Sequence, residues 1–187
     1  MRIIRGILKS RRISAPKNFP SRPTTDFAKE GLFNVLENKY SLYNLNILDL
    51  CAGTGNISLE FASREAGIIT AVDQNYNCVR FIKKTVSELG MDQIIDVYKA
   101  DARDYLRKTV KTYDLIFADP PYDVSFHSEI AQIVLDRNLL SNGGILIIEH
   151  GRQTDLSTIP YYQFTKQYGN VYFSFIGKEF EESDNPA

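Results

Sequence analysis

Two stretches of this chain carry residue types that can do chemistry together. The first is Asp119-Pro120-Pro121-Tyr122, which follows the apolar run Leu115-Ile116-Phe117-Ala118. Pro121 pushes Pro120 toward an extended backbone, and neither proline offers an N–H. The Pro120 carbonyl is thus a stiffly presented acceptor, Asp119 supplies a second acceptor, and Tyr122 supplies a flat aromatic face. Two acceptors and a stacking plate match an exocyclic amine on a planar base; the plain alternative is a proline turn after a buried strand. The second stretch runs from Asp49 through Cys51-Ala52-Gly53-Thr54-Gly55 to Asp73, twenty residues beyond Gly53. Two glycines at a strand end let the backbone turn tightly and approach a ligand, and Asp73 can accept hydrogen bonds from a ribose diol. Asp49 beside the loop repels a pyrophosphate and attracts an α-ammonium. A ligand that combines an amino acid, a ribose, a base and a cationic centre fits both carboxylates, and S-adenosylmethionine is that ligand. Serine at position 58, where the dinucleotide fingerprint has its third glycine, also argues against a dinucleotide.

These stretches need elements to hold them. Asn46–Leu50 reads as a buried strand, and Ile57 and Phe61, four apart, open a helix after the glycine loop. Ile68–Val72 is a second strand ended by Asp73. Tyr76–Leu89 is a helix with Val79, Ile82, Val86 and Leu89 on one side, stopped by Gly90. Ile94–Tyr98 is a third strand, and Asp101 after it can cap a helix over Ala102–Lys108 or accept from an adenine amine, or do both. Asp114–Ala118 is the fourth strand and delivers Asp119. Ligands in open parallel sheets bind beyond the carboxyl ends of the strands, so Asp119–Tyr122 should face the glycine loop across a crevice. Ser125–Leu139 is helical, Ser141-Asn142-Gly143-Gly144 reads as a turn, and Ile145–Ile148 as a fifth strand. Tyr161–Gln167 and Val171–Ile176 flank Gly169-Asn170 as a hairpin. The fold class expected is α/β, a doubly wound, mostly parallel sheet with a C-terminal antiparallel hairpin.

Composition sets bounds. The 187 residues are 43% hydrophobic and 24% charged, which suits one domain with a real core. No apolar run approaches the roughly 18 residues of a membrane span, Met1–Arg12 lacks the pattern of a signal peptide, and Cys51 and Cys78 form no Cys-x-x-Cys pair. A cytoplasmic address, no metal and no membrane contact are expected. Net charge is −1, unevenly placed: residues 1–25 hold seven bases and no acid. Arg2, Arg5, Lys9, Arg11, Arg12 and Lys17 therefore form a candidate phosphate-binding arm, whose plain alternative is a solvated tail. Residues 1–25 are expected as a basic arm or small appendage with a strand over Met1–Leu8, residues 26–180 as the main domain, and residues 181–187 as a frayed acidic tail. Thr24 or Thr25 caps the helix that follows, with Ala28, Leu32 and Val35 along one side. His127 and His150 accompany no nucleophile motif and read as a surface helix residue and a loop residue. Glu149 is either a frame of the substrate pocket or a rim charge.

With Asp49–Asn56, Asp73 and Asp119–Tyr122 in hand, the chain resembles a class I S-adenosylmethionine-dependent methyltransferase, and more closely the RsmD family of small-subunit (16S) ribosomal RNA guanine-N2 methyltransferases. The likeness adds Met1-Arg2-Ile3-Ile4-Arg5-Gly6, Arg22-Pro23-Thr24 with Glu30, Leu32-Phe33-Asn34-Val35-Leu36 and the closing hairpin. The family often has Phe where Cys51 stands and Ser-Arg-Gly where Ser63-Arg64-Glu65 stands. The resemblance implies a Rossmann-like seven-stranded sheet with its last strand antiparallel. It places the donor against Arg22, Thr24, Asp49, Cys51, Ala52, Gly53, Thr54, Gly55, Asn56, Asp73, Gln74, Asp101 and Ala102, with catalysis at Asp119, Pro120, Pro121 and Tyr122. It implies as partner ribosomal RNA or the assembling small subunit, met by a monomer. The same chemistry on adenine N6 of DNA or RNA is the nearest rival, because Asp-Pro-Pro-Tyr does not separate the two amines. A nucleotide-binding dehydrogenase and a non-catalytic RNA-binding module are the others.

Overall fold

The computed structural model describes residues 1–21, 24–121 and 124–178, with residue 124 described by its backbone only. Twelve elements follow one another: α1 (Asp26–Lys39), β1 (Asn46–Leu50), α2 (Asn56–Ser63), β2 (Ile68–Asp73), α3 (Tyr76–Glu88), β3 (Ile95–Lys99), α4 (Ala102–Lys108), β4 (Tyr113–Ala118), α5 (Val124–Asp136), β5 (Leu140–His150), β6 (Tyr162–Tyr168) and β7 (Val171–Ile176). The strands form one sheet in the order β3-β2-β1-β4-β5-β7-β6. The first five are parallel, and β7 enters antiparallel between β5 and β6. This is the doubly wound, Rossmann-like sheet with a closing hairpin that the alternation of strand and helix patterns predicts.

Because β1, β2, β4 and the second half of β5 are buried on both faces they read as largely continuous apolar runs rather than alternating ones, whereas the edge strand β3 is mostly exposed. Odd-numbered residues such as Ile47, Ile69, Leu115 and Ile147 pack with Leu32, Phe33, Phe61 and Ile82 of α1–α3. Even-numbered ones such as Leu48, Ile116 and Leu146 pack with Leu106, Ile130 and Val134 of α4 and α5. The strand order reverses between β1 and β4, and the crevice of such a sheet lies at that point. Thr25 caps α1 by accepting from the Ala28 N–H, and Asp101 caps α4 by accepting from the N–H groups of Arg103 and Asp104.

Four expectations change. Met1–Leu8 is not a strand; a single bridge pairs Arg2 with Arg12, because the segment bonds to the end of α2 instead. Ser141–Gly144 is not a turn between elements but a bulge inside β5, which adds residues between the Tyr113–Leu140 and Leu115–Ile145 pairs. His127 is fully buried and His150 nearly so, with ring centroids 6.3 Å apart. His127 is three residues before Ile130 and seven before Val134, so it shares their buried helical face. Lys29 of α1, for which the sequence carried no signal, is also completely buried.

The basic N-terminal segment lies against α1 and α2. Ile3 is in the core, and the Ile4 and Arg5 N–H groups donate to Glu60 at 2.8 and 3.1 Å. Gly6 passes so close to the end of α2 that a Cβ there would meet the Ser63 carbonyl oxygen at 1.6 Å. Residues 179–187, and with them the expected frayed tail at 181–187, lie outside the described residues.

Candidate functional site

The carboxyl ends of β1, β2, β4 and β5 open onto a cavity of about 730 Å³. Among its lining residues are Thr24, Cys51, Asp73, Gln74, Asp101, Ala102, Asp119, Pro120, Pro121 and Glu149. A narrow inner pocket continues it beneath Asp49, Ala52, Gly53, Thr54 and Asn56, and Thr24, Cys51 and Asp119 line both. The sheet thus gathers nearly every residue singled out above, although Asp49 and Asp119 are seventy residues apart in sequence. Gly55 is an exception. It takes a left-handed backbone at the start of α2 and faces Ile82 of α3, where a Cβ would sit at 3.2 Å; its role is to pack the helix. Arg22 and Tyr122 lie outside the described residues.

The turn itself is held from Asp73. Its Oδ2 accepts from the Gly53 N–H at 2.8 Å and its Oδ1 from the Asn75 N–H at 2.7 Å. Each oxygen keeps a lone pair for a ligand. Gly53 has φ +56°, and Cys51 has φ +60° although it carries a side chain. That conformation is uncommon outside glycine, and it is tolerated where surrounding structure over-determines the backbone. Asp49 is almost fully buried, and one of its oxygens accepts from both the N–H and the hydroxyl of Ser58. The serine that replaces a third glycine therefore positions the carboxylate. Burial nonetheless pushes Asp49 up to about 7. Thr54 Oγ1, in the same inner pocket, is buried and has no hydrogen-bond partner among the described residues.

Asp119 and Glu149 follow the paired residues Ala118 and Ile148 on adjacent parallel strands, so they stand side by side on one face. The Asp119 N–H donates to the Leu50 carbonyl at 3.2 Å, but its carboxylate makes no hydrogen bond among the described residues. Burial, then Glu149 and Asp49, raise its pKa well above the usual carboxylate range. Glu149 accepts from the Thr24 hydroxyl at 2.8 Å, and burial pushes it up to about 7 against that bond. Among the described residues no lysine or arginine lines either pocket. A crevice lined by acids and, among the described residues, by no base is unsuited to a polyphosphate and suited to a cationic ligand with many N–H and O–H donors. The unpartnered Thr54 hydroxyl and the free lone pairs of Asp73 fit the amino-acid and ribose parts of such a ligand.

Several lining residues carried no sequence signal. Ser21, Pro20 and Val171 reach the cavity from the N-terminal segment and the hairpin, and Phe126 from α5; only folding brings them there. Thr24 is placed by a relay. The fully buried Lys29 ammonium donates to the Arg2 carbonyl at 2.7 Å and to Asn56 Oδ1 at 2.8 Å. Asn56 Nδ2 donates to the Thr24 carbonyl at 3.0 Å. In the candidate RNA-binding arm, Arg2 and Arg5 are paired with Asp26 and Glu37, whereas Lys9, Arg11, Arg12 and Lys17 are exposed and meet no acid among the described residues. No helix of the described residues is long and apolar enough to cross a membrane.

Against known proteins, residues 1–177 match a family model described as Conserved hypothetical protein 95. The chain is 30% identical over 149 residues to Ribosomal RNA small subunit methyltransferase D of Buchnera aphidicola subsp. Baizongia pistaciae, covering 80% of this chain and 75% of that protein. Among solved structures, Escherichia coli yhhF superposes with a TM-score of 0.82 at 26% identity, covering 94% of this chain and 96% of that one. SMU.776 complexed with SAH superposes with a TM-score of 0.64 at 19% identity, covering 80% of this chain and 48% of that one. That last likeness is one of fold.

Proposed function

The chain belongs to the RsmD family, whose model is described as Conserved hypothetical protein 95; on that premise we propose that it transfers a methyl group from S-adenosylmethionine to the exocyclic N2 amine of a guanine in small-subunit ribosomal RNA. The observation that carries the proposal is Asp119, a half-buried carboxylate with no hydrogen-bond partner among the described residues, beside the Pro120 carbonyl in an acid-lined crevice. Unpaired acceptors in a closed site are costly unless a ligand satisfies them, and an amine with two hydrogens does so.

The donor supplies a methyl group made electrophilic by its sulfonium. This chain's residues bind and orient. Asp73, with Gln74 beside it, holds the ribose diol. Asp49 and Thr54 face the amino-acid end, under the Cys51–Asn56 loop. Asp101, at the mouth of α4 beside Ala102, accepts from the adenine amine. The guanine amine is a weak nucleophile because its lone pair is delocalised into the ring. Asp119 and Pro120 accept its hydrogens and so turn the lone pair toward the methyl group. The raised pKa of Asp119 makes its ion a better acceptor for the proton that the methylated amine then loses. Tyr122, which lies outside the described residues, is assigned from sequence to stack on the base once it has left its helical stack. Lys9, Arg11, Arg12 and Lys17 are the arm residues free to meet phosphates, with Arg2 and Arg5 available only by exchange from their acids.

The test is transfer of labelled methyl from S-adenosylmethionine to small-subunit RNA or assembling particles, with the product digested to nucleosides and identified. N2-methylguanosine is expected. N6-methyladenosine would keep the methyl chemistry and reassign the base, and tight NADH binding with no response to the methyl donor would remove the function altogether.

A further inference from the structure

The exocyclic amines of the bases differ in what stands beside them. The N6 amine of adenine has ring acceptors on both flanks, N1 and N7. The N4 amine of cytosine has the acceptor N3 on one side and a C–H on the other. Only the N2 amine of guanine has a ring N–H, at N1, beside it. A site that holds an amine and also aims an ionised carboxylate at its flank therefore suits guanine and opposes adenine.

The crevice has such a flank. Glu149 stands next to Asp119 on the adjacent strand and lines the same cavity. It is only 7% exposed, and one oxygen is fixed by the Thr24 hydroxyl at 2.8 Å. Its Oε1 has no hydrogen-bond partner among the described residues. Thr24 is in turn held through Asn56 and Lys29, so the acceptor is presented by a braced side chain. We infer that Glu149 is a specificity-determining residue that accepts the N1–H of guanine while Asp119 and Pro120 hold the adjacent N2 amine. This rests on the methyl-transfer function proposed above and adds the reason the base is guanine. Burial and crowding already disfavour the Glu149 and Asp119 ions in the ligand-free crevice. An edge with three N–H groups relieves both, whereas adenine N1 would place a lone pair against Glu149.

The test uses the full chain and small-subunit RNA assembled by ligation with either guanine or 2-aminopurine at the methylated position. Both bases carry the N2 amine, and only guanine carries N1–H. The wild-type protein should methylate guanine faster by at least about fivefold, the lower end of what one well-made base contact discriminates. In Glu149→Gln the amide can turn its N–H toward the N1 acceptor of 2-aminopurine, so the ratio of the two rates should fall toward one. S-adenosylhomocysteine affinity, measured by calorimetry, should stay within about twofold of wild type if the crevice is intact. Equal wild-type rates on the two bases overturn the inference even if the variant does not fold, and so does an undiminished ratio in a variant that still binds S-adenosylhomocysteine. Absence of transfer to either base by the wild-type protein overturns the methyl-transfer function itself, a distinct result.

Discussion

Helix α2 separates two sets of buried charges that are treated in opposite ways. On its outer side Glu60, fully buried, accepts from Lys29 at 3.1 Å, from Arg64 at 2.8 Å and from the N–H groups of Ile4 and Arg5. Arg64 also pairs with Glu37 and stacks on Phe33. Every charge there has an opposite charge in contact. At its inner end Asp49, Asp119 and Glu149 share a crevice, and no base lines the cavity among the described residues. Burial lowers the pKa of Lys29 while Glu60 opposes that effect, whereas burial drives Asp49, Asp119 and Glu149 upward. The lesson is one of completeness. Charges satisfied by the chain itself fix where the N-terminal segment lies, and charges left unsatisfied at a cavity are satisfied by a ligand.

That contrast breaks most readily at Glu60. Glu60→Ala strands the buried Lys29 ammonium, so it should cost about 3–5 kcal/mol in denaturant unfolding. Glu149→Gln should be neutral or stabilising in the ligand-free protein at pH 8. Equal losses in the two variants would erase the distinction between the clusters. Next in size is Asp119→Ala. Transfer should fall by about a hundredfold or more, as for loss of one preorganised polar group, while stability does not fall. Asp119→Asn, which keeps an accepting oxygen, should retain more activity. Single-turnover transfer measures both, and a wild-type rate in Asp119→Ala would reduce the Asp-Pro-Pro-Tyr stretch to a turn.

The pH dependence of stability sharpens the comparison further. Asp49 and Glu149 rise to about 7 in the fold from ordinary carboxylate values. Between those limits the native state binds more protons than the unfolded chain. Their contribution is therefore fully present below about pH 4 and is lost as pH rises through about 7. Unfolding of the ligand-free protein should show a loss on the order of 2 kcal/mol for each of these two groups between pH 5 and 8, and Glu149→Gln should remove about half of the total. A smaller effect is expected at Asp73. Asp73→Ala removes charge-assisted acceptors and should weaken S-adenosylhomocysteine binding by about tenfold, or 1.4 kcal/mol, in calorimetry. The smallest is at the arm. Neutralising Lys9, Arg11 and Arg12, which meet no acid among the described residues, should flatten the salt dependence of RNA binding by about 0.7 log unit per lost contact on single strands. Donor affinity should be unchanged.

The sequence by itself determined the sheet and the two stretches at its rim, because the signals are local. Apolar runs of strand length, the stripe of Val79, Ile82 and Val86, and glycines 53 and 169 at left-handed positions each act within a few residues. The Asp101 cap and the Gly169-Asn170 hairpin are legible for the same reason. What only the tertiary structure decided is which polar residues are buried and with whom. Lys29 is buried only because the N-terminal segment and α2 close over it. Arg64 reads as a helix end until Glu37 and Glu60 reach it. His127 reads as solvent-facing until α5 docks by that side. Glu149 was ambiguous between a rim and a pocket because nothing near it in sequence mentions Asp119 or Thr24, which are thirty and 125 residues away. Hydrogen bonds and desolvation depend on distance in space, and one-dimensional spacing carries that distance only inside a single element.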